Sequence, residues 1–263
     1  MSNQQVSQVS RKVSPVSHKE KALQFIWQHI LLLISLFIMT FGVVLCVRSN
    51  LGSSVISSSP LAFTLAGVEG LVPPLSLGNY TNLLNCLLVA GQIIVLRRRF
   101  KPVQLLQLII GIVFGAMIDI NMAITGSLVC ATLPVQALTQ ALGCTVMGLG
   151  ISLEMRCGSI TMPGEGLPAA ISKATGRPFA NAKIYVDITL VLIAIASCYI
   201  FFGRWLWNVI GIGTLFAMVY VGMTVKLISR HLSWFDRLLG YRPGLRRHLY
   251  GLARYLKRTR QLP

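Results

Sequence analysis

Residues 147–178 read MGLGISLEMRCGSITMPGEGLPAAISKATGRP. An apolar run ends at LEMR, residues 153–156, and a short stretch rich in Gly, Ser, Thr and Pro follows it. The sequence MPGEG at 162–166 then opens a short helix-like piece. Irregular backbone is tolerated at membrane depth only where protein or a wet cavity surrounds it. The pattern therefore predicts a membrane helix followed by a broken or re-entrant segment at 157–174.

An earlier stretch has the same plan, since residues 42–63 read GVVLCVRSNLGSSVISSSPLAF. A shift of 108 residues aligns the two stretches without a gap, and a gap of six in the following loop extends the match with a shift of 102. The matched pairs are Gly42 and Gly150, Leu45 and Leu153, Arg48 and Arg156, Pro60 and Pro168, Ala62 and Ala170, Asn85 and Asp187, Leu88 and Leu190, Val89 and Val191, Gly111 and Gly213, and Phe114 and Phe216. We predict two related halves, each broken near its start. Chance similarity between apolar helices is the alternative.

Composition defines the class of protein. The chain has 263 residues, of which 54% are hydrophobic and only 12% are charged. Soluble domains carry about 25% charged residues. Several apolar runs reach the ~20 residues that a helix needs to cross a bilayer. The composition therefore predicts an all-α polytopic membrane protein.

The formal net charge of +17 would indicate nucleic-acid binding in a soluble protein. Here the basic residues lie in short segments between and beyond the apolar runs. This is the positive-inside distribution, in which anionic lipid headgroups supply the counter-charge. We therefore predict the lipid bilayer as a partner and no nucleic acid.

Six apolar runs predict membrane spans, and two further segments are too short and too rich in Ser, Gly or Pro for an ordinary span. The spans are predicted at 26–47, 80–96, 105–124, 133–155, 184–202 and 206–225, and the short segments at 55–66 and 157–174. The two repeats then cover residues 26–124 and 133–228. Residues 1–25 are predicted to form an N-terminal tail. Residues 229–263 are predicted to form a basic amphipathic tail that lies on the membrane surface or binds a regulatory partner.

The distribution of basic residues separates two topologies. If both short segments re-enter, the chain has six spans, and 22 of its 24 basic residues lie inside, with Arg48 and Arg204 outside. If both short segments span, there are eight helices, with 17 basic residues inside and 7 outside. The positive-inside rule favours six spans with cytoplasmic N- and C-termini.

Three spans in each half have a structural consequence, because an odd number turns the second half upside down relative to the first. Inverted repeats with discontinuous helices are typical of secondary transporters, in which the solute binds where the breaks meet. The sequence thus predicts two inverted three-helix repeats, each with a short broken segment.

Glu165 is the acidic residue of the broken segments, and Gly164 and Gly166 on either side let the backbone approach a ligand closely. Ionisable groups within a membrane mark pathways or internal ion pairs. Glu165 is therefore the first candidate for a substrate or proton site, and a loop carboxylate at headgroup level or a helix cap is the alternative. Its counterpart by the shift of 108 is Ser57, so the hydroxyls of Ser57 and Ser58 are candidates in the first break.

Two further matched pairs are candidates. Arg48 and Arg156 end corresponding spans, where they pair with acidic residues, contact an anionic substrate, or only extend to the interface. Asn85 and Asp187 match across the halves and are predicted to face the centre. Asp119 has no acidic counterpart, and a hydrogen bond between helices explains it as well as function does.

No pattern indicates a catalytic residue, a metal or a cofactor. The six cysteines form no C-x-x-C pair, and the four histidines lie towards the ends of the chain without the spacing of metal ligands. No nucleophile elbow, zinc-protease, Walker A or Rossmann motif is present in the sequence. We therefore predict that the protein is not an enzyme.

Several stretches carry a resemblance to a known family. These are RSNLGSS at 48–54, QIIVLRRRFKPVQLLQ at 92–107, FGAMIDI at 114–120 and, most specifically, GISLEMRCGSITMPGEGLPAAIS at 150–172. Together they resemble the YczE/YyaS/YitT family of bacterial integral membrane proteins over about residues 30–230. The resemblance implies a multi-pass protein of the bacterial cytoplasmic membrane, and it supplies no catalytic or ligand residues.

The topology favours a transporter or permease-like protein for a small polar or anionic solute. A second hypothesis is a membrane accessory or sensor protein that acts through contacts with a partner. A third is the solute-binding membrane subunit of a larger importer.

Overall fold

The computed structural model describes residues 18–157 and 161–239, which form helices joined by turns and contain no strand. The helices are α1 (His18–Arg48), α2 (Val55–Val68), α3 (Leu77–Leu96), α4 (Leu106–Ile124), α5 (Leu133–Cys157), α6 (Pro163–Thr175), α7 (Phe179–Phe202), α8 (Ile212–Ser229) and α9 (Ser233–Leu239). Two 3-10 turns, Arg97–Arg99 and Pro102–Leu105, connect α3 to α4. Within these residues six segments are long and apolar enough to cross a membrane: Phe25–Arg48, Leu77–Arg99, Pro102–Ile124, Leu133–Cys157, Asn181–Phe202 and Ile212–Ser229. The prediction of an all-α polytopic membrane protein is confirmed.

The sixth span begins later than predicted, at Ile212 rather than at residue 206. The reason is a backbone contact with the loop after α1. The Gly213 amide donates to the Leu51 carbonyl at 2.8 Å, and a Cβ on Gly211 would collide with the same carbonyl. Trp205 closes the preceding turn by donating its indole N–H to the Ile210 carbonyl at 2.8 Å. Together the contact with Leu51 and the Trp205 hydrogen bond keep residues 206–211 in a turn rather than in α8.

The two tails are described only in part. Helix α1 begins at His18. Residues 18–25, which were predicted to belong to the tail, therefore form the start of the first helix. Helix α9 of the predicted C-terminal tail buries Phe235 and Leu239 and leaves Arg237 exposed, which is an amphipathic arrangement. The remaining tail residues, 1–17 and 240–263, lie outside the described part of the chain.

Helices α1 and α5 cross at the centre of the bundle through glycines. A Cβ on Gly42 would overlap backbone atoms of Met147, and a Cβ on Gly150 would lie 2.5 Å from the backbone nitrogen of Met39. Small residues at a crossing let helix backbones approach closely, which is how membrane helices gain packing energy without a hydrophobic driving force. At this crossing the backbones of α1 and α5 are therefore in close contact.

The short helices α2 and α6 have 14 and 13 residues. At 1.5 Å per residue each is about 20 Å long, less than the ~30 Å of the hydrocarbon layer. Each packs against both α3 and α7. Their N-terminal ends meet, because the Ile56 side chain lies over Gly164, where a Cβ would be only 2.5 Å from Ile56 Cδ1. The two predicted breaks thus come together inside the bundle.

Helices α3 and α4 form a tight hairpin with a polar seam. Gln92 donates to Gln107 at 3.0 Å, and Gly115 leaves room for the Asn82 side chain. Asp119 accepts hydrogen bonds from the Gly78 amide at 2.8 Å and from the Ser76 hydroxyl, which is the interhelical role considered from the sequence. By contrast α7 and α8, which the predicted repeat matches with α3 and α4, do not pack along each other. A cleft opens between them.

A second opening lies between α3 and α7, with α2 and α6 forming its floor. We call it the apolar cavity. Its volume is about 460 Å³. It is lined by Ser59, Pro60, Phe63, Tyr80, Leu83, Leu84, Leu87, Leu88, Leu167, Ile171, Tyr185, Val186, Thr189, Leu190 and Ile193.

Candidate functional site

The cleft between α7 and α8 holds a cavity of about 370 Å³, which we call the polar cavity. Its wall includes residues from the start of both short helices as well as from α5, α7 and α8. The lining residues are Ser54, Val55, Ile56, Met147, Ile151, Met155, Glu165, Phe179, Lys183, Ile184, Asp187, Ala217, Met218, Val221, Gly222 and Val225. Because both breaks reach this cavity, it is the place where a solute site is expected in a transporter with discontinuous helices.

Three charged side chains form one cluster on the wall of the polar cavity. The Lys183 ammonium lies 3.3 Å from Glu165 Oε1 and 3.1 Å from Asp187 Oδ1. The side chains of Lys183, Glu165 and Asp187 are 31%, 22% and 16% exposed, so the cluster is partly withdrawn from solvent. Two carboxylates share one ammonium, so each carboxylate has a basic partner and the ionised cluster keeps one net negative charge.

Local helix geometry places these groups. Lys183 and Asp187 are four residues apart on α7, a spacing that puts both side chains on one face of the helix. Glu165 lies in the first turn of α6, where the helix dipole favours a negative charge. Asp187 is six residues into the apolar segment that begins at Asn181, which at 1.5 Å per residue is about 9 Å. The cluster therefore reaches into the membrane-spanning part of the bundle.

The structure thus brings together the predicted site residues Glu165 and Asp187. The predicted site residues Ser57 and Ser58 are not part of this cluster. The Ser57 hydroxyl lies 2.7 Å from the Ser54 hydroxyl, and the Ser58 hydroxyl donates to the Ser54 carbonyl at 2.9 Å. Ser57 and Ser58 are both buried behind the cavity wall, and Ser54 lines it instead. Their hydroxyls stabilise the start of α2.

The flanking glycines serve close helix packing. Gly164 accommodates Ile56, and a Cβ on Gly166 would lie 2.6 Å from Gln92 Nε2 and 2.7 Å from Gln107 Oε1. The backbone of α6 therefore approaches α2 on one side and the α3–α4 seam on the other. Through these contacts the glycines fix where Glu165 stands.

The two arginines lie away from the cavity and have matching roles. Arg48 donates to the Met122 carbonyl at 2.8 Å, near the end of α4, and Arg156 donates to the Ser229 carbonyl at the end of α8. Basic groups stabilise the free carbonyls at the end of a helix. Arg156 also forms an ion pair with Asp236 of α9. Arg48 thus fastens α1 to α4, and Arg156 fastens α5 to α8.

Asn85 is buried in the α3–α4 seam, 1% exposed, where a Cβ on Gly111 would lie 3.2 Å from its amide nitrogen. Neither its amide nitrogen nor its amide oxygen has a hydrogen-bond partner among the described residues. Asn85 and Asp187 match in sequence, but they face different pairs of helices, α3–α4 and α7–α8.

Two charged residues of this region were not among the predicted site residues. Lys183 lies next to the fifth predicted span, and its spacing to Asp187 was the available signal. Glu154 ends the apolar run before the second break, and its Oε1 accepts the Met162 amide at 3.1 Å. This 5% exposed carboxylate caps the start of α6, next to Glu165.

Loss of Lys183 leaves two carboxylates facing each other. Lys183→Met is therefore expected to lower the free energy of unfolding by about 1–3 kcal/mol, less than the ~3–5 kcal/mol of a fully buried pair because the cluster is partly exposed. Thermal unfolding of the purified protein measures this change. The double variant Lys183→Met, Asp187→Asn should recover much of the loss.

Lys173→Met is the matched control, because Lys173 is exposed on the last turn of α6 and forms no ion pair with a described residue. Equal losses of stability for the two lysines would contradict the assigned cluster.

Comparison with known protein families identifies a match over most of the chain. Residues 26–230 match DUF6198, a family of unknown function. No curated protein and no solved structure matches the chain. The match is compatible with the membrane protein family that the sequence resembles, and that resemblance stays a prediction.

Proposed function

We propose that this chain, which belongs to DUF6198, a family of unknown function, is a membrane transporter whose small polar solute binds in the polar cavity. Its six apolar helices indicate a multi-pass membrane protein. The observation that supports transport most directly is the Glu165–Lys183–Asp187 cluster beside the meeting point of two discontinuous helices. Charges in such places are costly and mark the paths of solutes or ions.

The charges of the cavity suggest the kind of solute. Two carboxylates and one ammonium line the wall, and the positive ends of the α2 and α6 dipoles point towards the same space. A solute with groups of both signs, such as an amino acid, can pair with each of them. A purely anionic solute, also considered from the sequence, would face two carboxylates and is disfavoured.

Two inverted repeats are part of this proposal. Under the shift of 108 residues Gly42 becomes Gly150 and Met39 becomes Met147, so the contact of Gly42 with Met147 is exchanged for that of Gly150 with Met39. Such reciprocal contacts are what a two-fold axis through the α1–α5 crossing would produce.

The lining of the apolar cavity is also consistent with a two-fold axis that relates the two halves. Twelve of its fifteen lining positions pair with one another by the two shifts, namely 59 with 167, 63 with 171, 83 with 185, 84 with 186, 87 with 189 and 88 with 190. The matching roles of Arg48 and Arg156 at helix ends agree with this pairing.

The difference between the halves supplies a mechanism. In inverted repeats, alternating access arises when one half moves against the other around a central site. Here α7 and α8 are apart while α3 and α4 are closed. We take the opposite state to have α7 and α8 closed and α3 and α4 apart, which would expose the unpaired amide of Asn85 to the solute.

Uptake by the purified protein in liposomes tests the function. A panel of zwitterionic, anionic and cationic metabolites should show accumulation of a zwitterionic solute above protein-free liposomes. No flux across the panel, together with stable co-purification of another protein, would favour the accessory, sensor or importer-subunit hypotheses instead.

The orientation in the membrane is a further part of the proposal. With six spans, both termini and the loop 97–101 are cytoplasmic, and residues 126–132 are on the other side. This follows from the 22 of 24 basic residues that the six-span topology places inside. A single cysteine at position 99 in a cysteine-free background is expected to resist an impermeant maleimide in intact cells, whereas one at position 128 should react. Labelling at 99 from outside would reject this orientation.

A further inference from the structure

Three of the four hydroxyl groups that line the apolar cavity are bonded within the protein, and the fourth, on Tyr185, belongs to an exposed residue at the rim. Eleven of its fifteen lining side chains are purely hydrocarbon. Ser59 donates to the Leu190 carbonyl at 3.2 Å, Tyr80 to the Pro73 carbonyl at 2.5 Å, and Thr189 to the Tyr185 carbonyl at 2.8 Å. Because these hydroxyls are already bonded within the protein, the cavity suits an apolar occupant and not water.

The cavity opens sideways between two membrane-spanning helices. Its rim residues Leu83, Leu87 and Tyr185 are 54%, 62% and 57% exposed. On the flank of a membrane protein this opening faces the hydrocarbon layer. An acyl chain is the apolar group that is present there, and a volume of about 460 Å³ is within the ~300–1,000 Å³ of ligand pockets.

Helices α3 and α6 connect this cavity to a basic cluster. They pack along each other from the cavity, where Leu167 lies against Gly91, to a hollow lined by residues 94–99 and Ala174. From Leu88 to Arg97 the rise along α3 is about 14 Å. Arg97, Arg98 and Arg99 are exposed, and none of them forms an ion pair with a described residue.

We propose that this surface binds one anionic phospholipid, with an acyl chain in the apolar cavity and the phosphate at Arg97–Arg99. A phosphate is bound strongly by guanidinium groups, which donate paired hydrogen bonds. This is a site for one particular lipid, distinct from the general attraction of basic loops to the bilayer. It does not depend on the transport proposal, since the polar cavity opens between α7 and α8.

Binding of lipid to the delipidated full-length protein in detergent, counted by native mass spectrometry, tests the assignment. Phosphatidylglycerol is compared with phosphatidylcholine of the same acyl chains, and glycerol phosphate serves as the headgroup without chains. The triple variant Arg97→Gln, Arg98→Gln, Arg99→Gln should bind phosphatidylglycerol on the order of a hundredfold more weakly, from ~1 kcal/mol per basic residue. Leu87→Trp, which narrows the cavity, should also weaken binding.

Matched controls separate this site from general effects. The triple variant Lys226→Gln, Arg230→Gln, Arg237→Gln removes the same charge from other exposed positions, and Ile109→Trp adds the same ring to an exposed position on α4. Both controls should bind phosphatidylglycerol as the unaltered protein does. The proposal is overturned if phosphatidylcholine binds equally well, if Leu87→Trp leaves binding unchanged, or if glycerol phosphate competes as strongly as the lipid.

Discussion

Gly42→Ala and Gly150→Ala are each expected to destabilise the protein strongly, and leucine at either position to prevent the native fold. At the α1–α5 crossing a Cβ on either glycine would meet backbone atoms of the opposite helix, which cannot rotate away as a side chain can. Overpacking of a core costs about 1–3 kcal/mol when side chains can adjust. Here the two helices must move apart, so alanine at either position should lower the free energy of unfolding by at least that amount.

Thermal unfolding and size-exclusion profiles of the detergent-extracted protein measure the effect. Gly222→Ala is the matched control, because a Cβ there has no heavy atom within 4 Å and α8 keeps its helical backbone. The thermal stability and the elution profile of Gly222→Ala should match those of the unaltered protein. If Gly42→Ala were as stable as Gly222→Ala, the close crossing of α1 and α5 would be wrong.

Glu165→Gln is expected to abolish solute uptake while the protein still folds and inserts. Glutamine has nearly the same shape, and Lys183 keeps its contact with Asp187 at 3.1 Å. What is lost is a negative charge at the meeting point of the two short helices, where we propose that a cationic group of the solute binds. Uptake into liposomes and the thermal stability of the same sample separate these two properties.

Glu69→Gln provides the control for Glu165→Gln, because Glu69 is exposed at the end of α2 and does not line the polar cavity. It should retain full uptake. Full uptake by Glu165→Gln would refute the site but not the transport function. Absence of uptake by the unaltered protein across the panel would instead refute transport.

The spans could be predicted from sequence because apolar length and flanking arginines act locally along the chain. Helix α5 begins at the predicted residue, and both breaks interrupt the helices where Ser, Gly and Pro indicated. The start of α8 could not be predicted, because residues 206–211 are as apolar as a helix. Contacts with the loop after α1, far away in sequence, hold them out of it: Gly211 and Gly213 lie against Leu51, and the Ser53 amide donates to the Val209 carbonyl at 3.1 Å.

The candidate site could be predicted in part for a similar reason. Glu165 and Asp187 were recognisable as carboxylates in or beside apolar segments. Lys183 was not recognisable as a site residue, because a lysine next to a membrane span is typical of an ordinary cytoplasmic loop. Its role depends on a contact between α6 and α7 that pattern alone does not contain. Ser57 was predicted as a site residue because it matches Glu165 by the shift of 108. Its hydroxyl instead contacts the hydroxyl and the carbonyl of Ser54 at the start of α2.

The arginine cluster at the end of α3 also bears on how the chain is threaded into the membrane during synthesis. The shift of 102 residues assigns positions 97–101, RRRFK, to positions 199–203, YIFFG, which carry no charge. Basic segments next to a span resist translocation. We therefore expect the α3–α4 connection to stay on the side where the chain is made, and the end of α7 to cross the membrane. The two predicted halves could in this way be inserted in opposite directions. The three arginines that we propose to bind lipid in the finished protein would then, together with Lys101, first direct its biogenesis.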